Sequence, residues 1–153
     1  YCGYRLRPGT RVNEAAVLAA LQHRSDPDSV DALALLCDCA NLDPGLAEAM
    51  ACLADANRVA AATRQLGLTE RSLERLVMCQ TGRTPGYWRQ LARARRAARA
   101  LAGSAALADI ACAHHYTDQA QMSRDFQRWF GITPSGLRRD PVLLALVAAP
   151  GFD

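Results

Sequence analysis

The strongest constraint on the fold is a segment that the chain contains twice. The first copy, residues 59–85, reads VAAATRQLGLTERSLERLVMCQTGRTP, and the second, residues 107–134, reads LADIACAHHYTDQAQMSRDFQRWFGITP. Each copy combines a short apolar helix, a tight turn, a second helix that begins with Thr and an acid, and a Gly-x-Thr-Pro end. Two copies are too few for a solenoid, so the unit is interpreted as a helix-turn-helix. The copies are offset by 48 residues at Thr69 and by 49 at Gly82, which predicts one additional residue in the second helix of the second copy.

The rest of the pattern predicts an all-α chain after Arg11. Residues 1–11 alternate and then reach Pro8-Gly9, which indicates the end of a strand running into a turn. Apolar spacing predicts helices over 14–23, 28–39, 45–54, 58–66, 70–80, 85–101, 107–114, 118–130 and 134–138, and a last apolar helix from Asp140-Pro141 to Pro150-Gly151. None of these stretches approaches the length of about 20 apolar residues that a membrane span requires.

Capping residues set the expected helix boundaries. Asn57, Thr69 and Thr84 are suited to begin helices, and Gly67 and Gly82 are suited to end them in the left-handed conformation. In the second copy His115 occupies the position of Gly67, so we expect a positive φ at a slightly strained His. The alternative for His114-His115, a metal-binding or proton-handling pair, remains open.

Charge is unevenly distributed along the chain. All 18 basic side chains are Arg, and 14 of them lie in residues 57–139 beside five carboxylates, a net charge of +9. Residues 1–56 carry −4 and residues 140–153 carry −2. The positive part coincides with the repeat, which is the pattern expected of a protein that binds a polyanion.

Each second helix is predicted to have an apolar face toward its partner helix and a polar face toward solvent. The expected inside residues are Val59, Ala62, Leu66, Leu68, Leu73, Leu76 and Val77 in the first copy and Leu107, Ile110, Ala111, Tyr116, Met122, Phe126 and Phe130 in the second. The polar faces carry Glu70, Arg71, Ser72, Glu74 and Arg75, and Asp118, Gln119, Gln121, Ser123, Arg124 and Arg128. Arg pairs bidentately with guanine, Gln suits adenine and Glu accepts from the cytosine amino group, so these eleven residues are the candidate DNA contacts.

The six cysteines, at positions 2, 37, 39, 52, 79 and 112, show neither zinc-finger nor CxxC spacing. Most are expected on apolar helix faces, where a free thiol packs as a small hydrophobe. A redox-sensing role is the alternative. We predict no metal and no cofactor, and the lack of a disulfide framework favours the cytoplasm.

Residues 57–139 resemble the C-terminal DNA-binding domain of the AraC/XylS family of bacterial transcription regulators. The resemblance is carried by LGLTERSLER at 66–75, TGRTP at 81–85, YTDQAQMSRDF at 116–126 and FGITPS at 130–135. It implies two helix-turn-helix subdomains joined by the long linker helix, with both recognition helices in successive major grooves of double-stranded DNA. The chain departs from the family pattern at His115, Met122 and Glu74, which affects the expected base preference.

The resemblance also implies a domain organisation and further partners. Residues 1–11 are expected to be the remnant of an upstream sensor domain, 12–56 a helical connector, 57–139 the DNA-binding domain and 140–153 a tail with a short helix. We expect the chain to be a fragment of a longer protein. RNA polymerase subunits are candidate partners of such a regulator, an activator in the family pattern, and a homodimer through the upstream domain is a further candidate.

Two other function classes are alternatives to DNA binding. A helical protein-interaction module, contacting a polymerase subunit or a second copy, leaves the +9 charge of the repeat unexplained. An Ada-type alkyl-transfer enzyme needs a reactive Cys with a basic partner, and no Cys has such a neighbourhood in the sequence, so we expect no enzyme. For the linker-helix arginines, solvated or internally paired roles stand beside phosphate contact. Trp88 is expected to anchor the two subdomains.

Overall fold

The computed structural model describes residues 6–22 and 32–149, and the predicted all-α fold is confirmed within them. The helices are α1 (Glu14–Gln22), α2 (Ala32–Cys39), α3 (Pro44–Asp55), α4 (Val59–Leu66), α5 (Glu70–Thr81), α6 (Pro85–Ala100), α7 (Leu107–Ala113), α8 (Gln119–Phe130), α9 (Pro134–Arg139) and α10 (Pro141–Ala148). Strand β1 (Arg11–Val12) pairs antiparallel with β2 (Ala40–Asn41). The helix start predicted at residue 28, the strand predicted before residue 6 and the helix stop predicted at Pro150 fall outside the described residues.

Two short strands of the structure were not predicted. β1 follows the turn at Pro8-Gly9, and β2 lies between α2 and α3. Strands of two residues are too short to show the alternation by which a strand is recognised in a sequence. The backbone N–H of Asn13 extends the pairing with a hydrogen bond of 2.9 Å to the carbonyl oxygen of Cys39.

Local capping chemistry sets most of the helix boundaries, as predicted. The hydroxyl oxygens of Thr69 and Thr84, the predicted caps, accept hydrogen bonds from the third backbone N–H of α5 and α6. Thr133, which was not predicted as a cap, does the same for α9. Gly67 and Gly82 end α4 and α5 at φ values of 65° and 68°. The prediction for α4 is wrong at its start. The helix is capped by the extended backbone of Arg58 without a side-chain bond, because its first hydrogen bond runs from Ala61 to the Arg58 carbonyl and leaves Asn57 one residue too early.

The position predicted for the additional residue of the second copy is also wrong. α5 and α8 both contain 12 residues and both end at a left-handed Gly. The additional residue lies in the turn, where Asp118 caps α8 and Thr117 only precedes the cap. Aligning the caps pairs Glu70 with Gln119 and Arg75 with Arg124, which are therefore equivalent positions of the two helices.

The first hydrophobic core extends beyond the repeat. Five buried side chains of α3 pack with Ala62, Leu73 and Val77 of the first helix-turn-helix; the five are Leu46, Ala49, Met50, Cys52 and Leu53. Trp88 covers the edge of this core. The sequence-based boundary at residue 57 therefore runs between helices that share one core.

The second core joins α6 to the second helix-turn-helix. Met122 and Phe126 of α8 are fully buried against small and aliphatic residues of α6, α7 and α9, namely Ala97, Ala98, Leu101, Ile110, Ala111 and Leu137. Helix α10 packs against this core with Leu143, Leu144 and Val147, as expected for the terminal apolar helix. α6 thus contributes to the support of both units, and its buried alanines allow close approach of the neighbouring helices.

Four side chains predicted to be inside or packed are exposed. Leu68 is 37% exposed because it lies in the turn beyond α4. Of the cysteines, Cys52 is buried as expected, but Cys37, Cys79 and Cys112 are exposed, so the expectation that most thiols pack on apolar faces is wrong. Cys2 lies outside the described residues. Within the described part, no helix has the length and apolarity needed to cross a bilayer.

Candidate nucleic-acid interface

The first recognition helix, α5, presents a charged face directly after its cap. Glu70, Arg71, Glu74 and Arg75 are exposed along its first two turns. Ser72 behaves differently, since it is half-buried and its backbone N–H donates to the Thr69 hydroxyl at 3.1 Å. The Thr69 hydroxyl in turn donates to Ser72 Oγ at 2.9 Å. Of the five residues predicted here, four therefore extend to solvent and one supports the helix start.

The second recognition helix, α8, begins with a reciprocal cap. Asp118 Oδ1 accepts from the backbone N–H of Gln121 at 2.6 Å, and Gln121 Oε1 accepts from the backbone N–H of Thr117 at 2.8 Å. Ser123 Oγ donates to the carbonyl oxygen of Gln119 at 2.9 Å. The bonds of Asp118 and Gln121 resemble a capping box. Together with the Ser123 bond, they leave fewer polar side chains of α8 available to contact DNA than the sequence suggested.

Three of the predicted residues on α8 extend from the helix. Gln119, Arg124 and Arg128 are exposed, and the Arg128 guanidinium carbon lies 5.1 Å from the centroid of the Trp129 ring. Such stacking limits the freedom of a long side chain before any ligand arrives. α8 therefore presents a polar and cationic face, whereas α5 presents alternating charges.

The turn of the second unit is formed as predicted. His115 has a φ of 59°, the one positive value among the described non-Gly residues, and its backbone N–H donates to the carbonyl oxygen of Cys112 at 3.1 Å. Tyr116 continues the turn with a bond of 2.9 Å to the carbonyl oxygen of Ala111. The turn thus uses backbone bonds like those around Gly67, with a residue that costs more to hold at positive φ.

Arg93 of the linker helix contacts this turn and α8 together. Its Nη2 lies 2.6 Å from Asp125 Oδ2, its Nη1 donates to the His115 carbonyl oxygen at 3.3 Å, and its guanidinium carbon is 4.0 Å from the Tyr116 ring centroid. Burial raises the pKa of Tyr116 to about 12, so the ring stays neutral at physiological pH. Asp125 was not predicted as a site residue. The available signal was an acid at the position aligned with the apolar Leu76.

The other linker arginines have different surroundings. Arg89 Nη1 donates to the Asn57 carbonyl oxygen at 2.9 Å, and the mostly buried Arg95 donates to the Ala149 carbonyl oxygen. Burial, with repulsion from neighbouring arginines, lowers the pKa of Arg89 and of Arg99 below the ordinary Arg value. The pKa of His114 is lowered for the same reasons, with Arg96 and His115 as the neighbouring charges. Closely spaced arginine side chains therefore lie along α6, as far as the turn of the second unit at His114-His115.

An aromatic cluster fixes the beginning of α6 between the two units. The Tyr87 ring makes edge-to-face contacts with Trp88 at 5.2 Å and with Trp129 of α8 at 4.9 Å between centroids. Trp88 Nε1 donates to Thr81 Oγ1 at the end of α5 at 2.8 Å. Tyr87, Trp88 and Trp129 thus tie both recognition helices to one linker, in the anchoring role expected of Trp88.

Within residues 6–22 and 32–149, no group of three or more His, Cys, Asp and Glu side chains is arranged to hold an ion. His114-His115 contributes to the turn, where His115 supplies the left-handed backbone.

Comparison with known proteins agrees with the geometry of two capped helix-turn-helix units. The family model described as a helix-turn-helix domain matches residues 62–140, which is 79 of the 153 residues. No curated protein matches the chain. Since the match covers more than half of the sequence and both recognition helices, the chain belongs to the AraC-type helix-turn-helix family of DNA-binding transcription regulators.

Proposed function

We propose that the protein is a sequence-specific regulator that places α5 and α8 in successive major grooves on one face of double-stranded DNA. The supporting observation is that both helices have 12 residues, begin at a side-chain cap and connect to the same linker helix. Major grooves on one face of B-DNA recur about every 10 bp, so the proposed site contains two boxes about 10 bp apart.

The side chains proposed to contact DNA fall into two groups. Glu70, Arg71, Glu74 and Arg75 on α5, and Gln119, Arg124 and Arg128 on α8, extend to solvent and are proposed to contact bases and phosphates. Ser72, Asp118, Gln121 and Ser123 bond within their own helices and are proposed to hold the helix starts in position. Arg75 and Arg124 occupy equivalent positions, whereas Glu70 is replaced by Gln119, so the two boxes are proposed to differ in sequence.

Selection of bound DNA from a randomised library, followed by fluorescence anisotropy at increasing salt, tests the proposal. We expect a two-box consensus. The logarithm of the affinity should also fall steeply with the logarithm of the salt concentration, because arginine–phosphate contacts release counterions. Recovery of no consensus would remove sequence specificity. A flat salt dependence would argue against DNA as the principal partner.

A second candidate function, protein interaction, is favoured by the exposed apolar side chains of α1 and α2. Leu18, Leu21 and Leu33 are 60%, 46% and 53% exposed, and α1 has no buried residue. Exposed leucines at this density are typical of an interaction surface. We propose self-association through α1 and α2, tested by sedimentation equilibrium of the wild type and of Leu18→Glu. A monomer at all concentrations for the wild type would reject it.

A further inference from the structure

We propose that Arg93 is a positioning residue for the second recognition helix, and that discrimination of the second DNA box depends on its contacts with Asp125 and the His115 turn. The inference rests on the proposed two-box DNA binding and assigns to the linker helix a role in reading the second box. Arg93 itself is not proposed to touch a base.

The contacts of Arg93 reach three separate parts of the second unit. The Arg93 guanidinium contacts the carbonyl oxygen of the left-handed turn residue His115, the face of the Tyr116 ring and the carboxylate of Asp125 in α8. The side chains of Arg93 and Asp125 are only 13% and 17% exposed. A charge-assisted hydrogen bond in such a shielded place is stronger and more directional than one at the surface.

These contacts restrict rotation of α8 about its own axis. Met122 and Phe126 anchor the helix to the core, but apolar contacts are not directional. Asp125 directly follows Arg124, the proposed base contact, so a fixed Asp125 carboxylate also fixes the direction in which Arg124 leaves the helix. Recognition side chains need positions accurate to about 0.5 Å and 10–20°. Loss of the Arg93 contacts should therefore reduce base discrimination by α8, while the hydrophobic core maintains the fold.

The first unit provides an internal control. The residue of α5 aligned with Asp125 is Leu76, a partly buried member of the first core. α5 therefore has no carboxylate at this position for a linker arginine to hold. A defect caused by loss of the Arg93 contacts should appear at the second box and spare the first.

The test measures the affinity of each variant for three duplexes: the selected two-box site, the site with box 1 scrambled and the site with box 2 scrambled. The variants are Arg93→Met, which keeps the length of the apolar stem, and Asp125→Asn, which keeps the shape of the carboxylate. Arg96→Met on the same helix removes an equal charge and serves as the matched control. Fluorescence anisotropy at one salt concentration gives the affinity ratios.

We expect Arg93→Met and Asp125→Asn to reduce the penalty for scrambling box 2 by at least about fivefold, the size of one lost base contact. The penalty for scrambling box 1 should stay unchanged in both variants. The Arg93→Met/Asp125→Asn double variant should lose no more discrimination than the worse single variant, because both substitutions break one interaction. Arg96→Met should weaken binding to all three duplexes alike.

Partial unfolding cannot imitate this result. A smaller folded fraction weakens binding to every duplex by the same factor and leaves the ratios between duplexes unchanged. If Arg93→Met does not fold, the milder Asp125→Asn carries the test. Equal affinity of the wild-type protein for all three duplexes would overturn the proposed function. Wild-type discrimination of box 2 that is fully kept by the folded variants would overturn only the role of Arg93.

Discussion

The polar side chains of α5 and α8 are of two kinds. Some accept or donate hydrogen bonds at the start of their own helix, and others extend to solvent. Asp118 and Gln121 look like base-contacting residues in the sequence, but their oxygens accept backbone N–H groups at the start of α8. Arg71 and Arg124 extend to solvent on the two helices. Substitutions in the first class should act mainly on stability, and those in the second class mainly on binding.

Arg124→Ala should weaken binding to the selected site by about 1–3 kcal/mol and relax base preference in the second box, because a bidentate arginine–base pair is lost. Arg71→Ala should have the corresponding effect in the first box. Anisotropy with single base-pair substitutions measures both. Arg139→Ala, an exposed arginine on α9, is the control and should keep all preferences. An equal loss on every sequence would instead indicate that Arg124 contacts phosphate.

His115 offers a prediction about stability. Its φ of 59° costs a non-Gly residue roughly 1 kcal/mol, so His115→Gly should raise the free energy of unfolding by up to about 1 kcal/mol. His115→Val should lower it by at least about 1 kcal/mol, because a β-branched residue is a poor occupant of positive φ. Urea unfolding followed by circular dichroism gives both values. A stabilised Val variant would contradict the turn geometry.

At the scale of the helices, local chemistry could be predicted and tertiary choices could not. The Thr69, Thr84 and Thr133 caps follow from interactions within three residues, so their sequence patterns suffice. The sequence pattern is the same whether the additional residue lies in the turn or in the helix. The structure has it in the turn, with Met122 and Phe126 buried in the core. The Asp125–Arg93 pair joins residues 32 positions apart, a relation that a single sequence does not display.

The cap of α8 gives a test at this scale. Asp118→Ala should lower the free energy of unfolding by about 1 kcal/mol, because the Gln121 backbone N–H loses its acceptor. Asp118→Asn should change it little, since Asn caps nearly as well as Asp. Thermal or urea unfolding compares the two. Equal destabilisation by Ala and Asn would show that the charge, and not the cap, is what matters.

At the scale of the whole molecule, α6 supports both helix-turn-helix units. α6 buries Ala92, Ala94, Ala97 and Ala98 against its neighbours and is tied to both recognition helices through Tyr87, Trp88 and Trp129. A continuous helix leaves little freedom for the distance between the units. The spacing of the boxes should therefore be as restricted as their sequences.

Insertion of 5 bp between the selected boxes should reduce affinity to that of one box plus non-specific contacts, because about half a helical turn places the second box on the opposite face. Insertion of 10 bp should not restore binding, since α6 cannot lengthen. Anisotropy with these two duplexes and with the unchanged site measures the effect. Full affinity for either insertion would show that the units move independently.

The difference between the α5 and α8 faces also gives the proposed site a direction. Glu70 and Arg71 belong to the helix that precedes the linker helix in the chain, and Gln119 and Arg124 belong to a helix that follows it. A reversed site would turn the bound molecule end for end and carry the apolar surface of Leu18 and Leu33 to the opposite flank. The proposed site would therefore have a defined orientation, with an upstream and a downstream side, as a promoter has.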